Sequence, residues 1–136
     1  MHLKALELSG FKSFADKTTV EFNRGITSIV GPNGSGKSNI LDAILWVLGE
    51  QSPKKIKAKE TSDVIFSGGK NKKPKSMAEV SLIIENEDRY LDIDFSEVKI
   101  TRRIYKSGEN EYFINNRKSR LKDINTLFMD TGIGKQ

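Results

Sequence analysis

Between Met77 and Glu85 the residues Ala78, Val80, Leu82 and Ile84 occupy every second position, and a period of two predicts a β-strand with one buried face. The same reading, less regular, covers His2 to Ser9 (Leu3, Ala5, Leu6, Leu8) and Thr18 to Phe22. Asn23-Arg24-Gly25 then supplies a turn into a third strand, Ile26 to Val30. Beyond residue 39 the period changes. Ile40, Leu41, Ile44, Leu45 and Leu48 fall at helical spacing, Gly49 is suited to a C-cap, and Ser52-Pro53 stops any continuation. Residues 51 to 62 read as loop, Asp63 to Phe66 as a short strand, and Ser67 to Ser76 as an exposed basic loop. Further strands are expected at Arg89 to Phe95, Val98 to Tyr105 and Glu111 to Ile114. Their turns are at Ser107 to Asn110 and at Asn115-Asn116, two residues that tolerate positive φ. From Arg120, the spacing of Leu121, Ile124, Leu127 and Phe128 predicts a second short helix. Strands that follow one another without intervening helices make the second half antiparallel.

The third strand and the first helix are joined by "GPNGSGKS", residues 31 to 38. Strand, glycine-rich loop and helix are the context that a phosphate-binding loop requires. The backbone N–H groups of Asn33 to Lys37 would converge on a β-phosphate, and the helix N-terminus would add partial positive charge. Lys37 would reach the β- and γ-phosphates, and the Ser38 hydroxyl would ligate Mg²⁺.

Composition narrows the remaining chemistry. With 36% hydrophobic and 30% charged residues in 136, the chain reads as one soluble, cytoplasmic unit. No apolar stretch is long enough for a membrane span, and no secretory leader is visible. Zero cysteines exclude disulfides and thiolate metal sites, and a single His, at position 2, makes a His-centred site improbable. The net charge of +5 is local. Between Pro53 and Lys75 eight lysines face Glu60 and Asp63, a net of +6, so the rest of the chain carries −1. Such a concentration suits a polyanion partner.

A complete P-loop enzyme also needs an acid at the end of a second buried strand and a group that orients the attacking water. Glu85 is the one candidate for the acid, and the alternation before it argues for a half-exposed antiparallel strand instead. "DTGIG" at 130 to 134 and "NNRK" at 115 to 118 depart from the GTPase patterns. Half of an ATPase is what these residues describe.

Beyond the phosphate loop, "GFKSF" (10 to 14), "WVLGEQS" (46 to 52), "DVIFSGG" (63 to 69), "AEVSL" (78 to 82), "TRRIY" with "SGENEYFINN" (101 to 116) and "RLKDI" (120 to 124) closely resemble the N-terminal head segment of a bacterial SMC (structural maintenance of chromosomes) protein. The similarity covers essentially the whole chain. It implies an α/β fold: the N-terminal half of an ABC-type P-loop ATPase head, a mixed sheet with the P-loop helix plus an antiparallel β-lobe. The implied divisions are a P-loop core over 1–66, the β-lobe over 67–119, and a helix leading toward the Q-loop over 120–136. In that family the C-terminal half of the same protein completes the head, and two heads of a homodimer sandwich ATP with Mg²⁺. The resemblance thus implies hydrolysis only after completion, together with non-specific DNA binding, kleisin and accessory subunits, no membrane partner and a cytoplasmic, nucleoid-associated location.

Carried across by position, Gly31, Pro32, Asn33, Gly34, Ser35, Gly36, Lys37, Ser38 and Asn39 match the ATP-binding loop, and Ser38 the Mg²⁺ ligand. Lys12 and Ser13 match a loop that approaches the nucleotide. Lys57 stands where similar sequences carry an arginine near the active site; it keeps the charge and loses the bidentate fork. Lys57, Lys59, Arg117, Lys118, Arg120 and Lys122 are the DNA-contact candidates. Trp46, Tyr105, Tyr112 and Phe113 read as core side chains rather than base-stacking platforms. A RecF/RecN-type or break-repair ATPase head is the alternative within the superfamily, and a DNA- or partner-binding module with a vestigial loop the alternative from another class.

Overall fold

The computed structural model describes residues 1–23, 26–30, 37–49, 61–69 and 71–129, with 23, 26–30, 37, 38, 61 and 62 described by their backbone alone. The strands are β1 (His2–Ser9), β2 (Thr18–Asn23), β3 (Ile26–Val30), β4 (Met77–Glu85), β5 (Glu97–Tyr105), β6 (Asn110–Ile114) and β7 (Arg117–Ser119). The helices are α1 (Lys37–Val47) and α2 (Leu121–Phe128). All seven strands form one sheet in the order β3-β2-β1-β4-β5-β6-β7. Each described pair in it is antiparallel. The strands expected in the P-loop core and those of the β-lobe are therefore continuous, joined where β1 pairs with β4.

One face of this sheet is the core. Leu6, Leu8, Val20, Val80, Leu82, Ile84, Val98, Ile100 and Ile104 are buried on it, and α1 covers β4 and β5 with Ile40, Ala43, Trp46 and Val47. The irregular spacing in β1 has a cause. The pairing with β4 slips between Leu3 and Ala5, so Lys4 is an extra residue, and the bulge returns Leu3 to the face that Leu6 and Leu8 bury. The opposite face is polar. Ser81 and Thr101 hydrogen-bond to each other across it at 2.8 Å, and Arg103 bonds Glu79 at 3.0 Å.

Arg102 and Arg103 show what alternation does to adjacent arginines. Arg103 lies on the polar face over the Phe113 ring, whereas Arg102 points into the core and is 1% exposed. Its guanidinium stacks on Trp46 at 4.5 Å and on Tyr112 at 5.1 Å, donates to the Trp46 carbonyl at 2.7 Å, and bonds Asn110 at 3.0 Å. The Trp46 carbonyl belongs to the last turn of α1, which has no basic residue of its own. A cation from β5 thus caps the negative end of the helix. Gly49 follows at φ +108°, where an added Cβ would lie 2.7 Å from Leu121 Cδ1, so α1 ends directly against α2.

Two expected strands have other conformations. Residues Thr61–Val64 form a 3-10 turn, after which Ile65 makes an isolated bridge to Phe11. Arg89 to Phe95 wraps around a single side chain. Asn86 is wholly buried; its Nδ2 faces the carbonyls of Leu91, Ile93 and Phe95 at 3.1 to 3.2 Å, and its Oδ1 accepts from Leu91 N–H at 2.9 Å. Ile93 N–H bonds Leu91 O and Phe95 N–H bonds Ile93 O, a series of γ-turn contacts. The carbonyls of residues 91, 93 and 95 thus face one way, toward an amide side chain and not toward a neighbouring strand.

We expect Arg102→Ala to lower the unfolding free energy by on the order of 3 kcal/mol, because it removes a desolvated cation–π contact and a charge-assisted hydrogen bond. Arg103→Ala, on the half-exposed face, should cost less than about 1 kcal/mol. Urea denaturation of both variants checks this, and equal costs would contradict the assignment of Arg102 to the core.

Candidate nucleotide site

β3 ends at Val30 and α1 begins at Lys37, so residues 31–36 connect a strand to a helix N-terminus over six residues. Gly31, Pro32, Asn33, Gly34, Ser35 and Gly36 themselves lie outside the described residues, as do Lys57 and Lys59. Lys37 and Ser38 are the first two residues of α1, and their side chains are likewise outside the description. That spacing suits a polyphosphate: a helix N-terminus presents N–H donors to it.

The turn after β1 is placed against this helix. Gly10 has φ +67°, and a Cβ there would meet the Met77 carbonyl at 2.3 Å, so only glycine fits. Phe11 and Phe14 exchange backbone hydrogen bonds of 3.0 and 2.8 Å, which closes the turn. Both aromatic side chains are buried, and the Phe11 ring packs on Trp46 at 5.3 Å. Lys12 N–H donates to Val64 O, and Phe66 N–H to Gly10 O, so the 3-10 turn supports it from behind. Lys12 and Ser13 are left at the tip. Lys12 adopts φ +49°, its Nζ donates to Asp42 Oδ2 at 2.8 Å, and Ser13 Oγ accepts from Asn39 Nδ2 at 2.9 Å. Three residues expected at the nucleotide, Lys12, Ser13 and Asn39, are thus brought together.

Asp42 is the residue that the sequence reading missed. It is a lone carboxylate among the apolar residues of α1, and that isolation was the available signal. Glu85, by contrast, lies far away. It pairs with His2 at one end of β1, while the Lys12 turn follows Ser9 at the other, roughly 23 Å along an extended strand. Among the described residues no group of three or more His, Cys, Asp or Glu could hold a metal ion.

Two further basic stretches stand out in the sequence. Arg117, Lys118, Arg120 and Lys122 are exposed on β7 and at the start of α2. Lys118 lies 3.8 Å from Glu111 and Arg120 3.7 Å from Asp123. Asp123 also accepts the Arg120 backbone N–H at 2.9 Å, which caps α2. The loop expected at 67–76 folds back on itself: Gly69 and Lys72 exchange backbone bonds of 3.1 Å, and Lys72 pairs with Asp16. The hydrogen bond from Lys72 holds the Asp16 carboxyl below its ordinary pKa. Trp46 is wholly buried, Tyr112 packs against the core, and Tyr105 and Phe113 are half-buried on the polar face beside Glu111 and Arg103, so none presents an open ring to a base.

Comparison with known proteins identifies the family and the fold. The family model for the RecF/RecN/SMC N terminal domain matches residues 2–136. The chromosome partition protein Smc of Fusobacterium nucleatum is 76% identical over 135 residues, covering 99% of this chain and 11% of the relative. That of Bacillus subtilis is 55% identical over 136 residues, all of this chain and 12% of the relative. The chain therefore spans about a tenth of the length of these proteins. Among solved structures, one from work on ATP-driven dimerization and DNA-stimulated activation of SMC ATPases has a TM-score of 0.86 at 45% identity, over 94% of this chain and 78% of the other. An Smc head bound to the C-winged helix domain of ScpA has a TM-score of 0.89 at 46% identity, over 98% of this chain and 42% of the other. The recombination mediator RecF, at 22% identity and a TM-score of 0.58 over 88% of this chain and 28% of its own, shares the fold alone. With an SMC N-terminal model matched across the chain and Smc relatives above half identity over its full length, the chain belongs to the SMC family, as its N-terminal head segment.

Proposed function

We propose that this chain is the ATP-binding half of an SMC head, acting in chromosome condensation and partitioning through ATP-dependent head engagement and DNA binding. The observation that carries this reading is the docking of the Lys12-Ser13 turn onto the helix that follows the glycine-rich loop. Gly31 to Asn39 would hold the triphosphate, with Lys37 on the β- and γ-phosphates, and Ser38 would ligate Mg²⁺. The ion would neutralise phosphate charge. Lys57 would bring a charge, without the arginine fork, to the same site.

Hydrolysis needs groups that the described residues do not supply, Glu85 being at the wrong end of the sheet. We assign them to the C-terminal half of the head and to a second head in a homodimer. The relative solved with ScpA's winged-helix domain supports a kleisin-type partner for the assembled protein. A nucleoid-associated, cytoplasmic site of action goes with that role. No described helix is long and apolar enough to cross a membrane. The divisions 1–66, 67–119 and 120–136 are then functional and not separate cores, since one sheet runs through the first two.

DNA contact is assigned to phosphates, through Lys57, Lys59, Arg117, Lys118, Arg120 and Lys122, because neither helix concentrates Arg, Asn or Gln as a base-reading face would. The RecF/RecN-type alternative has only a distant likeness of fold behind it. A binding module with a vestigial loop is the competing reading from another class, and nucleotide binding separates the two.

By itself the chain should show no ATP turnover above background. Lys37→Ala should weaken binding of a fluorescent ATP analogue by about tenfold or more, the value of roughly one charge-assisted hydrogen bond; unchanged binding would favour the vestigial loop. Preference for ATP over GTP should be weak, as the loop touches phosphates and not bases.

In an ATP-engaged head, log affinity for duplex DNA should fall linearly with log salt. Charge reversal at Lys57, Lys59, Arg120 and Lys122 should flatten that slope, by roughly one unit for each phosphate that is no longer neutralised. Reversal at Lys72, Lys73 and Lys75 should leave it unchanged. A slope indifferent to the first set would place the DNA-binding surface elsewhere in the protein.

A further inference from the structure

Asn39 and Asp42 are three residues apart on α1 and so share one face of the helix. Both are turned to the tip of the β1–β2 connection, one on Ser13 and the other on Lys12. The Lys12–Asp42 pair is withdrawn from water, with side chains 15% and 5% exposed. A buried ion pair is a poor source of stability, because desolvation offsets most of the attraction. Nor does the turn need it for closure. Phe11 and Phe14 exchange two backbone bonds, Lys12 N–H is bonded to Val64 O, and the Phe11 ring is packed on Trp46. What the pair does determine is the position of one ammonium group. Lysine carries its charge on a flexible four-carbon stem, and the carboxylate fixes the end of that stem beside α1. Asp42 is five residues into the helix, about 7.5 Å along the axis from Lys37, where the glycine-rich loop delivers the chain.

We propose that Asp42 is a positioning residue for the polyphosphate of the bound nucleotide, acting through Lys12. Its carboxylate keeps the Lys12 ammonium on the nucleotide side of the turn, so that the charge is in place before the phosphates arrive. The gain is one of preorganisation, since ordering a rotamer-rich side chain at the moment of binding is itself costly. This rests on the ATP-binding reading above, and Lys37→Ala serves as the control on that reading.

The test is a double-mutant cycle on fluorescent-nucleotide affinity, in heads assembled from the full chain and the complementary C-terminal half. Lys12→Met and Asp42→Ala should each weaken ATP binding by about tenfold, and the double variant should be no weaker than either single one. Asp42→Glu, which keeps the carboxylate, should recover most of the loss. Nucleotide-free melting temperatures, measured alongside, register any purely structural cost of the substitutions. That cost should not follow the nucleotide affinities, and the salt dependence of ATP binding should become shallower in Lys12→Met.

Tighter ATP binding by Asp42→Ala would show that the carboxylate competes with phosphate for Lys12, and would overturn the proposal. Additive losses, or an Asp42→Ala effect that persists undiminished in the Lys12→Met background, would overturn it as well. If Asp42→Ala fails to fold, Lys12→Met and Asp42→Glu carry the test: ATP affinity unchanged in Lys12→Met overturns it. Should Lys37→Ala bind ATP normally, the nucleotide reading fails and this inference with it, whereas loss in Lys37→Ala with no change in the Lys12 and Asp42 variants refutes the inference alone.

Discussion

The seat of α1 on the sheet is the constraint from which the rest of the molecule follows. An eleven-residue helix is too short to persist by its own hydrogen bonds and needs an apolar face to bury. It buries Ala43, Trp46 and Val47 against β4 and β5, and the Trp46 carbonyl in its last turn is met by Arg102 reaching up from β5. A guanidinium is an unusual core side chain. Here its faces are covered by the rings of Trp46 and Tyr112, and two of its donors are used by Trp46 O and Asn110. The cation is thus desolvated against π faces and oxygen acceptors, the surroundings in which its burial is tolerable.

Because Trp46 is held in this way, it can serve as the floor for the other side of the site. Phe11 packs on it, and the turn that carries Lys12 and Ser13 is pinned between α1 and the 3-10 turn at Thr61–Val64. One helix therefore organises two surfaces. Its N-terminal half carries Asn39 and Asp42 toward the candidate phosphate site, and its end abuts Leu121, beside the exposed basic residues that open α2. Eleven residues at 1.5 Å each separate these surfaces by about 16 Å.

Charge is segregated across the same framework. Arg102 is the one buried charge among the described strand residues of the core face. The opposite face holds Glu7, Glu79, Glu111, Lys99, Arg103 and Lys118 in ion pairs or near them, so its charges are largely compensated. In the 67–76 loop Lys72 is compensated as well, by its ion pair with Asp16. A lysine count along the chain registers total charge, whereas the partner of each lysine depends on which loops the fold brings side by side.

Most of the strands, both helices and the strand-loop-helix order around residues 31 to 38 were legible in the amino-acid order alone. These depend on local periodicity and turn chemistry, which neighbouring residues set among themselves. The same residues carried the family, through "GFKSF", "GPNGSGKS" and "WVLGEQS", and with the family the expectation that Lys12 and Ser13 approach a nucleotide. Periodicity failed at Arg89 to Phe95, where an alternating pattern meets one buried amide, and at Asp63 to Phe66, where a short apolar run turns instead of extending. It could not reveal Asp42 as the partner of Lys12, thirty residues away, nor Arg102 as the cap of a helix 56 residues back. Those pairings exist only once β1, β5 and α1 are stacked. A polar side chain inside an apolar run acquires a partner through the geometry of packing, and no local pattern encodes which element will be opposite it.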